Sequence, residues 1–373
     1  MKRHAAHSVT AALVSAALLF VPAVGQGPDF DLGTTYHQVE HASSTVGAFR
    51  YQGRFDMSDP TKPKFSWPGS RVNFTFTGTS VAVKLNAPGI RFRAAVDSTS
   101  TDFIATSAQT YTVATGLSGG GAVHKVSLWR QTEPSQGVSE FLGVSFPTGG
   151  ALGTAPTAWV RRLEVIGDSI STGYGNEGAF GCVGYSVSTQ NHWKSYEGLA
   201  SRAKRAELVT LAWSGKGLYR NYDGTTAATG ETMPELYLRT IPTDPTSVWG
   251  FTTDIPHVVL INLGTNDWNH GDPGSVFTST YVSFIRAVRA HYPSAKIIVA
   301  LTPMGSSTQR AQIKSRLLGI VSTMNTAYAD ANVSYLDLTS QGANRGCNSH
   351  PNLIHHETMS GIVQTALRAQ VGW

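Results

Sequence analysis

The second half of this chain alternates short apolar segments with amphipathic ones, and this pattern restricts the fold more than any other feature. Five apolar runs have the length and β-branched content of buried strands: 163–166, 208–212, 258–263, 297–301 and 335–338. Helical spacing of apolar residues predicts helices at 195–206, 276–291, 311–329 and 358–370. Such alternation predicts an α/β domain over 159–373, with helices on both faces of a parallel sheet.

The first half has a different texture, because short alternating segments are punctuated by Gly, Pro, Asn and Asp about every ten residues. The predicted strands are 71–76, 81–85, 92–96, 110–113 and 123–129, with no helical spacing between them. This pattern predicts a jelly-roll-like antiparallel β-sandwich over 35–148. Residues 149–158, rich in Gly, Ala and Thr, are predicted to be a linker to the second domain.

The N-terminus has the features of a secretion signal over residues 1–25. Lys2 and Arg3 precede an apolar stretch at 11–21 that is too short to span a bilayer, and a small-residue cleavage site follows. We therefore expect a secreted, extracellular protein without a membrane partner, and a monomer. The net charge of +5 is scattered, with no basic run longer than two residues, which argues against a nucleic-acid partner.

The chain has two cysteines, Cys182 and Cys347. In a secreted protein an even pair predicts a disulfide, and two buried free thiols are the alternative. The sequons at Asn73 and Asn332 are glycosylation candidates if the host glycosylates.

Four short motifs follow predicted strands and supply the groups that serine-based acyl transfer requires. Ser169 ends the run Gly-Asp-Ser and is the candidate nucleophile, and His350 near the C-terminus is the candidate base. Gly215 and Asn266 also follow strands, and a glycine N–H and a carboxamide are suited to stabilising an oxyanion. Because parallel strands end at one edge of the sheet, we expect these groups to meet there.

Three other features compete for a functional interpretation. Ser118 lies in a Gly-x-Ser-x-Gly pattern, but a glycine run between two sandwich strands predicts a hairpin rather than a catalytic turn. His355 and His356 lack a third ligand with suitable spacing, so we expect neither a metal nor another cofactor. Tyr174 and Trp268 flank the motifs and are candidates for lining a substrate site.

The four motifs in this order resemble the SGNH hydrolase superfamily, and further segments resemble carbohydrate esterase family 2. These segments are Phe-Arg-Tyr-Gln-Gly-Arg-Phe at 49–55, Phe-Ser-Trp-Pro-Gly-Ser at 65–70, Val-His-Lys-Val at 123–126, Arg-Gln-Thr-Glu at 130–133 and Gly-Tyr-Gly-Asn at 173–176. The resemblance implies a β-sandwich joined to an SGNH-type three-layer α/β/α domain. It also implies removal of acetyl groups from plant-type polysaccharides such as xylan and glucomannan.

The resemblance assigns Ser169 as nucleophile, His350 as base, and the N–H groups of Ser169 and Gly215 with the Asn266 side chain as the oxyanion hole. One departure concerns the histidine, because the family often has Asp-Trp-His-Pro and the superfamily has Asp three residues before the histidine. Here the sequence is Cys-Asn-Ser-His-Pro at 347–351, without a carboxylate at either place. A backbone carbonyl, Asn348 or Asp337 must then orient His350, and we favour a Ser–His dyad with a carbonyl.

The function expected from the sequence is therefore a secreted esterase that removes O-acetyl groups from a polysaccharide or oligosaccharide. Two alternatives stay open. The first is an SGNH lipase or general carboxylesterase, although no long apolar lid segment is evident. The second is an inactive carbohydrate-binding protein, which the missing carboxylate beside His350 would permit.

Overall fold

The computed structural model describes residues 45–182 and 184–373. The expected signal peptide and the first ten residues of the predicted sandwich domain lie outside these residues. The described part consists of an antiparallel β-sandwich followed by an α/β domain, as the sequence pattern predicted.

The sandwich contains two antiparallel sheets. Its strands are β1 (Thr45–Val46), β2 (Phe49–Gln52), β3 (Lys64–Phe65), β4 (Arg71–Thr77), β5 (Val81–Asn86), β6 (Ile90–Val96), β7 (Thr99–Ala105), β8 (Gln109–Ala114), β9 (Val123–Arg130), β10 (Ser139–Ser145) and β11 (Ala151–Leu152). One sheet has the order β1-β2-β4-β9-β6-β7, with β11 also paired to β4, and the other has β3-β10-β5-β8. Buried aromatic rings fill the space between them, as in the edge-on pair Phe65 of β3 and Phe92 of β6.

The five strands predicted in this region are all present, with ends shifted by one or two residues. The sequence pattern missed β7 and β10 for different reasons. Strand β7 lies at the edge of its sheet, and only Ala105 of its seven residues is buried, so it lacks the alternation of a half-buried strand. Strand β10 has an irregular register between Phe141 and Val144, where Gly143 has a φ of 102°, and this interrupts the alternation.

Two segments next to the sandwich differ in detail from expectation. Within the predicted linker 149–158, Ala151 and Leu152 pair with Thr77 and Phe76, so part of this segment extends the first sheet. The segment around Ser118 was expected to be a hairpin. It instead joins β8 to β9, which belong to opposite sheets, so it crosses the top of the sandwich.

The α/β domain is built on five parallel strands. They are β12 (Arg161–Gly167), β13 (Ala206–Ala212), β14 (Val258–Asn262), β15 (Lys296–Leu301) and β16 (Val333–Asp337), and the helices are α1 (Ser169–Thr172), α2 (Tyr196–Ala203), α3 (Met233–Tyr237), α4 (Ser275–His291), α5 (Ser307–Ala327) and α6 (Leu353–Val371). The strand order is β13-β12-β14-β15-β16, and each predicted strand is confirmed to within two residues at either end.

Helices cover both faces of this sheet and create two apolar cores. Tyr196 of α2 and Met359 of α6 belong to one core, while Phe277 of α4 and Leu317 of α5 belong to the other. Helices α5 and α6 begin earlier than predicted because Ser306 and Asn352 accept hydrogen bonds from main-chain N–H groups of their first turns. None of the helices within 45–182 and 184–373 combines the length and apolar character needed to span a bilayer.

Side chains of the sandwich contribute to the hydrophobic cores of the α/β domain. Trp67 and Trp129 come from the sandwich, yet each is buried in one of the two cores beside the parallel sheet. The side chains of Gln52 and Arg54 also cross the interface and donate to the main-chain oxygens of Leu208 and Arg239 at 3.0 and 2.9 Å. The sandwich therefore packs directly against the parallel-sheet domain through buried side chains and hydrogen bonds.

Candidate active site

Three strands of the parallel sheet end side by side, and the candidate catalytic groups follow these ends. Gly167, the last residue of β12, pairs in register with Ala212 of β13 and Asn262 of β14. The chain runs from β12 outwards to β13 and then returns past β12 to β14, so this edge is the point where the strand order reverses. Open α/β sheets bind ligands in the crevice at such a point.

Ser169 opens a short helix directly after β12, in a turn that its neighbours fix. The Asp168 carboxylate accepts a hydrogen bond from the N–H of Ile170 at 3.0 Å and so caps this helix. Asp168 is fully buried, and burial raises its pKa to about 7. A Cβ atom at Gly167 would collide with the side chain of Ser171, so glycine is required at this position.

The Ser169 hydroxyl lies within hydrogen-bond distance of the imidazole of His350, at 2.8 Å from Oγ to Nε2. The other ring nitrogen, Nδ1, lies 3.1 Å from the main-chain oxygen of Asn348. Because a carbonyl can only accept, Nδ1 carries the proton, and Nε2 is free to accept from Ser169. Burial lowers the pKa of His350 to about 4, so the ring is neutral at pH 7.

The histidine loop has an unusual backbone that directs this carbonyl. Asn348 and Ser349 both have positive φ, at 54° and 59°, a conformation that costs most side chains energy. The loop is held by the Cys182–Cys347 disulfide and by a hydrogen bond of 3.0 Å from the N–H of Asn348 to the oxygen of Cys182. The predicted disulfide is thus present and links the two loops.

Three candidates for orienting His350 were open from the sequence, and the geometry separates them. The contact is made by a backbone carbonyl, and Asn348 provides it through its main chain. The Asn348 side chain instead points its amide nitrogen at the hydroxyl of Tyr174, at 3.4 Å. Asp337 pairs with Arg310 at 2.7 Å.

The loop after β13 brings Gly215 to the same edge of the sheet. Gly215 has a φ of 80°, which glycine adopts without strain, and its oxygen accepts from the N–H of Tyr222 at 2.8 Å. The N–H groups of Gly215 and Ser169 donate to no other residue within the described part of the chain. Two main-chain donors are therefore available at this edge.

Asn266 and its neighbour Asp267 connect this loop to the loop after β14. The amide nitrogen of Asn266 donates to the oxygen of Lys216 at 2.8 Å and lies 3.4 Å from the Asp168 carboxylate. The buried Asp267 carboxylate accepts from three successive N–H groups, those of residues 218, 219 and 220, at 2.7 to 3.0 Å. The sequence analysis missed Asp267, although its position directly after Asn266 in Gly-Thr-Asn-Asp was a usable signal.

The two aromatic residues that we expected to line a substrate site lie in different environments. Tyr174 is half-buried beside the histidine, with 4.5 Å between its ring centroid and that of His350. The expectation for Trp268 needs correction, since its side chain is only 2% exposed and packs edge-on against Phe277. A ring that is buried in the core offers no face to a substrate.

Tyr222 is an aromatic residue at this edge that the sequence analysis did not single out. Its side chain is 61% exposed, although its main chain is fixed by hydrogen bonds to Gly215, Asn269 and His270. An exposed ring on a fixed backbone beside a candidate oxyanion donor is suited to contacting a ligand.

The histidine pair at the start of α6 has structural contacts. His356 is buried, and its Nδ1 accepts from the N–H of Tyr196 at 3.1 Å. Among the residues that the structure describes, no group of three His, Cys, Asp or Glu side chains is arranged to hold a metal ion.

Comparison with known proteins defines first the class and then the family. A family model described as "GDSL-like Lipase/Acylhydrolase family" matches residues 165–356, just over half of the chain, and one described as "Carbohydrate esterase 2 N-terminal" matches residues 51–156. The first match covers the parallel-sheet domain with all four predicted motifs, and the second covers most of the sandwich. The fold and these matches define a GDSL-like acylhydrolase with a carbohydrate-esterase sandwich.

A solved family two carbohydrate esterase from Clostridium thermocellum, in complex with cellohexaose, is similar to this protein along almost its full length. It is 34% identical with a TM-score of 0.81, and the match covers 87% of this chain and 99% of that chain. The chain belongs to carbohydrate esterase family 2, and the named esterases among its relatives place it with the carboxylic ester hydrolases.

Two curated relatives extend the comparison. The cellulase/esterase CelE of Acetivibrio thermocellus is 34% identical over 329 residues. The match covers 87% of this chain but only 39% of the length of that protein. An acetylxylan esterase / glucomannan deacetylase of Cellvibrio japonicus is 23% identical over 329 residues, which cover 86% of this chain and 88% of that protein.

Proposed function

We propose that this protein is a secreted esterase that removes O-acetyl groups from plant polysaccharides, with Ser169 as nucleophile and His350 as base. The observation that carries the proposal is the contact of 2.8 Å between Ser169 Oγ and His350 Nε2, with Nδ1 occupied by a carbonyl. This arrangement leaves the histidine neutral and ready to accept the serine proton.

In the first half-reaction, Ser169 Oγ attacks the acetyl carbonyl carbon while its proton moves to His350 Nε2. The carbonyl oxygen becomes an oxyanion, which the N–H groups of Ser169 and Gly215 stabilise. The Asn266 amide joins them by exchanging its long contact with Asp168, at 3.4 Å, for the oxyanion, while it keeps its hydrogen bond to the Lys216 oxygen. The bond between the acetyl carbon and the sugar oxygen then breaks, and His350 returns the proton to that oxygen. The products are a free sugar hydroxyl and an acetyl group on Ser169.

In the second half-reaction, water replaces the sugar. His350 accepts a proton from the water as its oxygen attacks the acetyl carbon, and the same donors hold the second oxyanion. The bond to Ser169 Oγ breaks, His350 returns the proton to the serine, and acetic acid leaves and ionises to acetate in the solvent. The Asn348 carbonyl keeps Nε2 directed at Ser169 throughout both halves.

Carbohydrate as the substrate class is supported by the relatives and by an exposed aromatic ring at this edge of the sheet. The similar Clostridium thermocellum esterase was solved with cellohexaose, and the Cellvibrio japonicus relative is named for acetylxylan and glucomannan. The exposed ring of Tyr222, next to Gly215, could stack on a sugar ring close to the reacting acetyl group. Secretion is supported by the expected signal at 1–25 together with the disulfide.

The test is release of acetate from acetylated xylan and acetylated glucomannan, measured beside hydrolysis of long-chain esters. We expect acetate release, with at least about a 10³-fold loss for Ser169→Ala and for His350→Ala. Ser118→Ala is the matched control, because it removes the serine of the Gly-x-Ser-x-Gly segment, and it should retain full activity.

Three results would contradict the proposal. A preference for long-chain esters would make the protein a lipase. Binding of polysaccharide without acetate release would make it a carbohydrate-binding protein. Full activity of the Ser169→Ala variant would exclude the serine mechanism itself.

A further inference from the structure

Glu133 belongs to the sandwich domain, yet its carboxylate reaches the loop that carries Gly215. Its side chain is 4% exposed, and Oε2 accepts from the N–H of Ser214 at 3.1 Å and from the Ser214 hydroxyl in a short hydrogen bond. Oε1 accepts from the hydroxyl of Ser135 at 2.6 Å. Both hydrogen-bond donors of the residue before Gly215 are thus held by one carboxylate from the other domain.

The main chain of Glu133 is itself fixed, so this carboxylate is a rigid anchor. Arg130 is fully buried at the end of β9, and its guanidinium donates to the oxygens of Thr132, Glu133 and Gly137 at 2.8 to 2.9 Å. A third guanidinium nitrogen donates to the hydroxyl of Ser139 at 2.8 Å. One cation therefore holds the whole turn that presents Glu133.

The peptide between Ser214 and Gly215 carries the N–H that our proposed mechanism directs at the oxyanion. It is restrained on both sides, by Glu133 at Ser214 and by the N–H of Tyr222 at the oxygen of Gly215. Glycine alone would let this peptide rotate, because it has no Cβ and adopts many backbone conformations. The orientation of the donor therefore depends on its neighbours.

A second contact connects this anchor to the nucleophile. The Ser214 hydroxyl lies 3.4 Å from the hydroxyl of Thr172, which donates to the oxygen of Ser169 at 2.9 Å. The Glu133 carboxylate, the oxyanion loop and the nucleophile turn thus form one continuous set of polar contacts.

We infer that Glu133 is a positioning residue, through which the sandwich domain sets the orientation of the Gly215 N–H toward the oxyanion. This inference rests on the proposed function, since it assigns a task to a donor in that mechanism. A positioned donor acts mainly in the transition state, where the negative charge develops. Disturbing it should lower kcat and leave KM nearly unchanged.

The test compares Glu133→Ala, Glu133→Gln and Ser214→Ala with the control Glu140→Ala. Glu140 is also a sandwich glutamate with a side-chain partner, Asn86, at 2.8 Å, but both residues lie in the β5–β10 pair of the second sheet. We expect Glu133→Ala to lower kcat roughly 10- to 100-fold, less than complete loss of a donor, with KM within about twofold. Glu133→Gln should stay within about fivefold, because its carboxamide oxygen can still accept from Ser214.

A second measurement separates positioning from simple support of the fold. Methylboronic acid forms a tetrahedral anionic adduct with a serine nucleophile, so its inhibition constant reports on the oxyanion donors. For Glu133→Ala, this constant should rise by the same factor by which kcat/KM falls. Should this variant fail to fold, Ser214→Ala takes its place, with a smaller rise in the constant that again matches its loss of kcat/KM.

Two outcomes would overturn the inference. The first is a Glu133→Ala protein with a lower Tm but unchanged kcat and unchanged boronate inhibition. The second is a loss of kcat/KM that boronate inhibition does not follow. Failure of the proposed function would look different, because it appears in the unmodified protein as absent acetate release or a preference for long-chain esters, or in Ser169→Ala as retained activity, whatever the Glu133 variants do.

Discussion

At the scale of single residues, the feature that most shapes the chemistry is a main-chain oxygen behind His350. A carbonyl fixes the tautomer of the ring as a carboxylate would, but it carries no full charge to stabilise the imidazolium. Burial is the largest influence on the pKa of the His350 ring, and it acts to lower this pKa. The histidine should consequently be a weak base whose protonated form is disfavoured.

The pH dependence of activity follows from this low pKa. The mechanism requires neutral His350, so kcat/KM should rise with pH through the pKa of this group and then level off. Because burial lowers that pKa to about 4, activity should persist well below the ordinary value of 6.5 and decline only toward pH 4. The measurement is kcat/KM for a phenyl acetate ester between pH 3 and 8. An acid limb centred at or above pH 6.5 would contradict the lowered pKa.

Replacing Asn348 tests whether the main chain alone orients the histidine. Glycine supplies the same carbonyl and adopts a φ of 54° without strain, so Asn348→Gly should keep kcat/KM within about threefold. Asn348→Ala should keep the contact but lose about 1–2 kcal/mol of stability, because alanine is strained at positive φ. Steady-state kinetics and thermal unfolding of both variants check this. A loss of 100-fold or more in Asn348→Gly would instead assign the orienting role to the side chain.

The location of the catalytic candidates was predictable from the sequence, but the contacts that orient them were not. Ser169, Gly215, Asn266 and His350 follow strands or the last loop of a parallel sheet, so topology alone brings them to one region. The orienting carbonyl depends on the φ angle of Asn348, which residue type does not determine. Core packing, rather than distance along the chain, decides that Trp268 is buried.

At the level of helices, strands and loops, the site depends on two loops that a disulfide and main-chain hydrogen bonds connect. The loop after α1 contains Cys182, and the histidine loop contains Cys347. A hydrogen bond of 2.9 Å from the N–H of Cys347 to the oxygen of Gly175 supplements the disulfide. The covalent link therefore reinforces a contact that the main chain also makes.

Removing the disulfide should affect stability more than turnover. The cysteines are 165 residues apart, and chain entropy alone predicts a stabilisation of about 5 kcal/mol at most for a loop of this length. The double variant Cys182→Ser and Cys347→Ser should lose several kcal/mol of unfolding free energy but keep kcat within about tenfold at 25 °C. Denaturant unfolding and kinetics of both proteins provide the check. An unchanged midpoint would show that the bridge contributes nothing to stability.

Elements were predictable where a segment is buried in a regular way. The central strands β14 and β15 are almost wholly apolar and buried and stand out from the sequence, whereas the exposed edge strand β7 does not. Helix ends depended on caps such as Ser306, which a capping-box pattern with Gln309 would have located.

At the scale of the whole molecule, the sandwich is part of the esterase rather than an independent attachment. The segment 49–55 shows why this was not visible in the sequence. Its residues alternate, so that Phe49 and Tyr51 pack inside the sandwich while Arg50, Gln52 and Arg54 reach the other domain. The alternating pattern is that of any half-buried strand. Only the structure shows that the face with Arg50, Gln52 and Arg54 lies at the interface between the domains.

Arg54 provides a direct test of this coupling. It is fully buried, donates to the oxygens of Tyr237 and Arg239, and lies 3.9 Å from the Glu164 carboxylate. Arg54→Met removes the donor to the two main-chain oxygens and the cation beside the buried Glu164 carboxylate, and it should cost about 3 kcal/mol or more of unfolding free energy. Calorimetry should show one transition shifted downward as a unit.

The matched control for Arg54 is Lys84→Met, which changes an exposed cation on β5 and should move stability by no more than about 0.5 kcal/mol. Two separate transitions in the Arg54→Met protein, only one of them shifted, would mean that the domains unfold independently.

If Ser169 is the nucleophile, its hydroxyl oxygen carries the acetyl group during turnover. The most direct measurement is peptide mass spectrometry after acid quenching of turnover with a phenyl acetate ester. We expect a single acetyl group on the peptide that contains Ser169, and none in the Ser169→Ala protein. In a His350 variant this acetyl group should form only slowly, because Ser169 then attacks without a base to accept its proton. An acetyl group on the Ser118 peptide, or sustained turnover without acetylated Ser169, would contradict it.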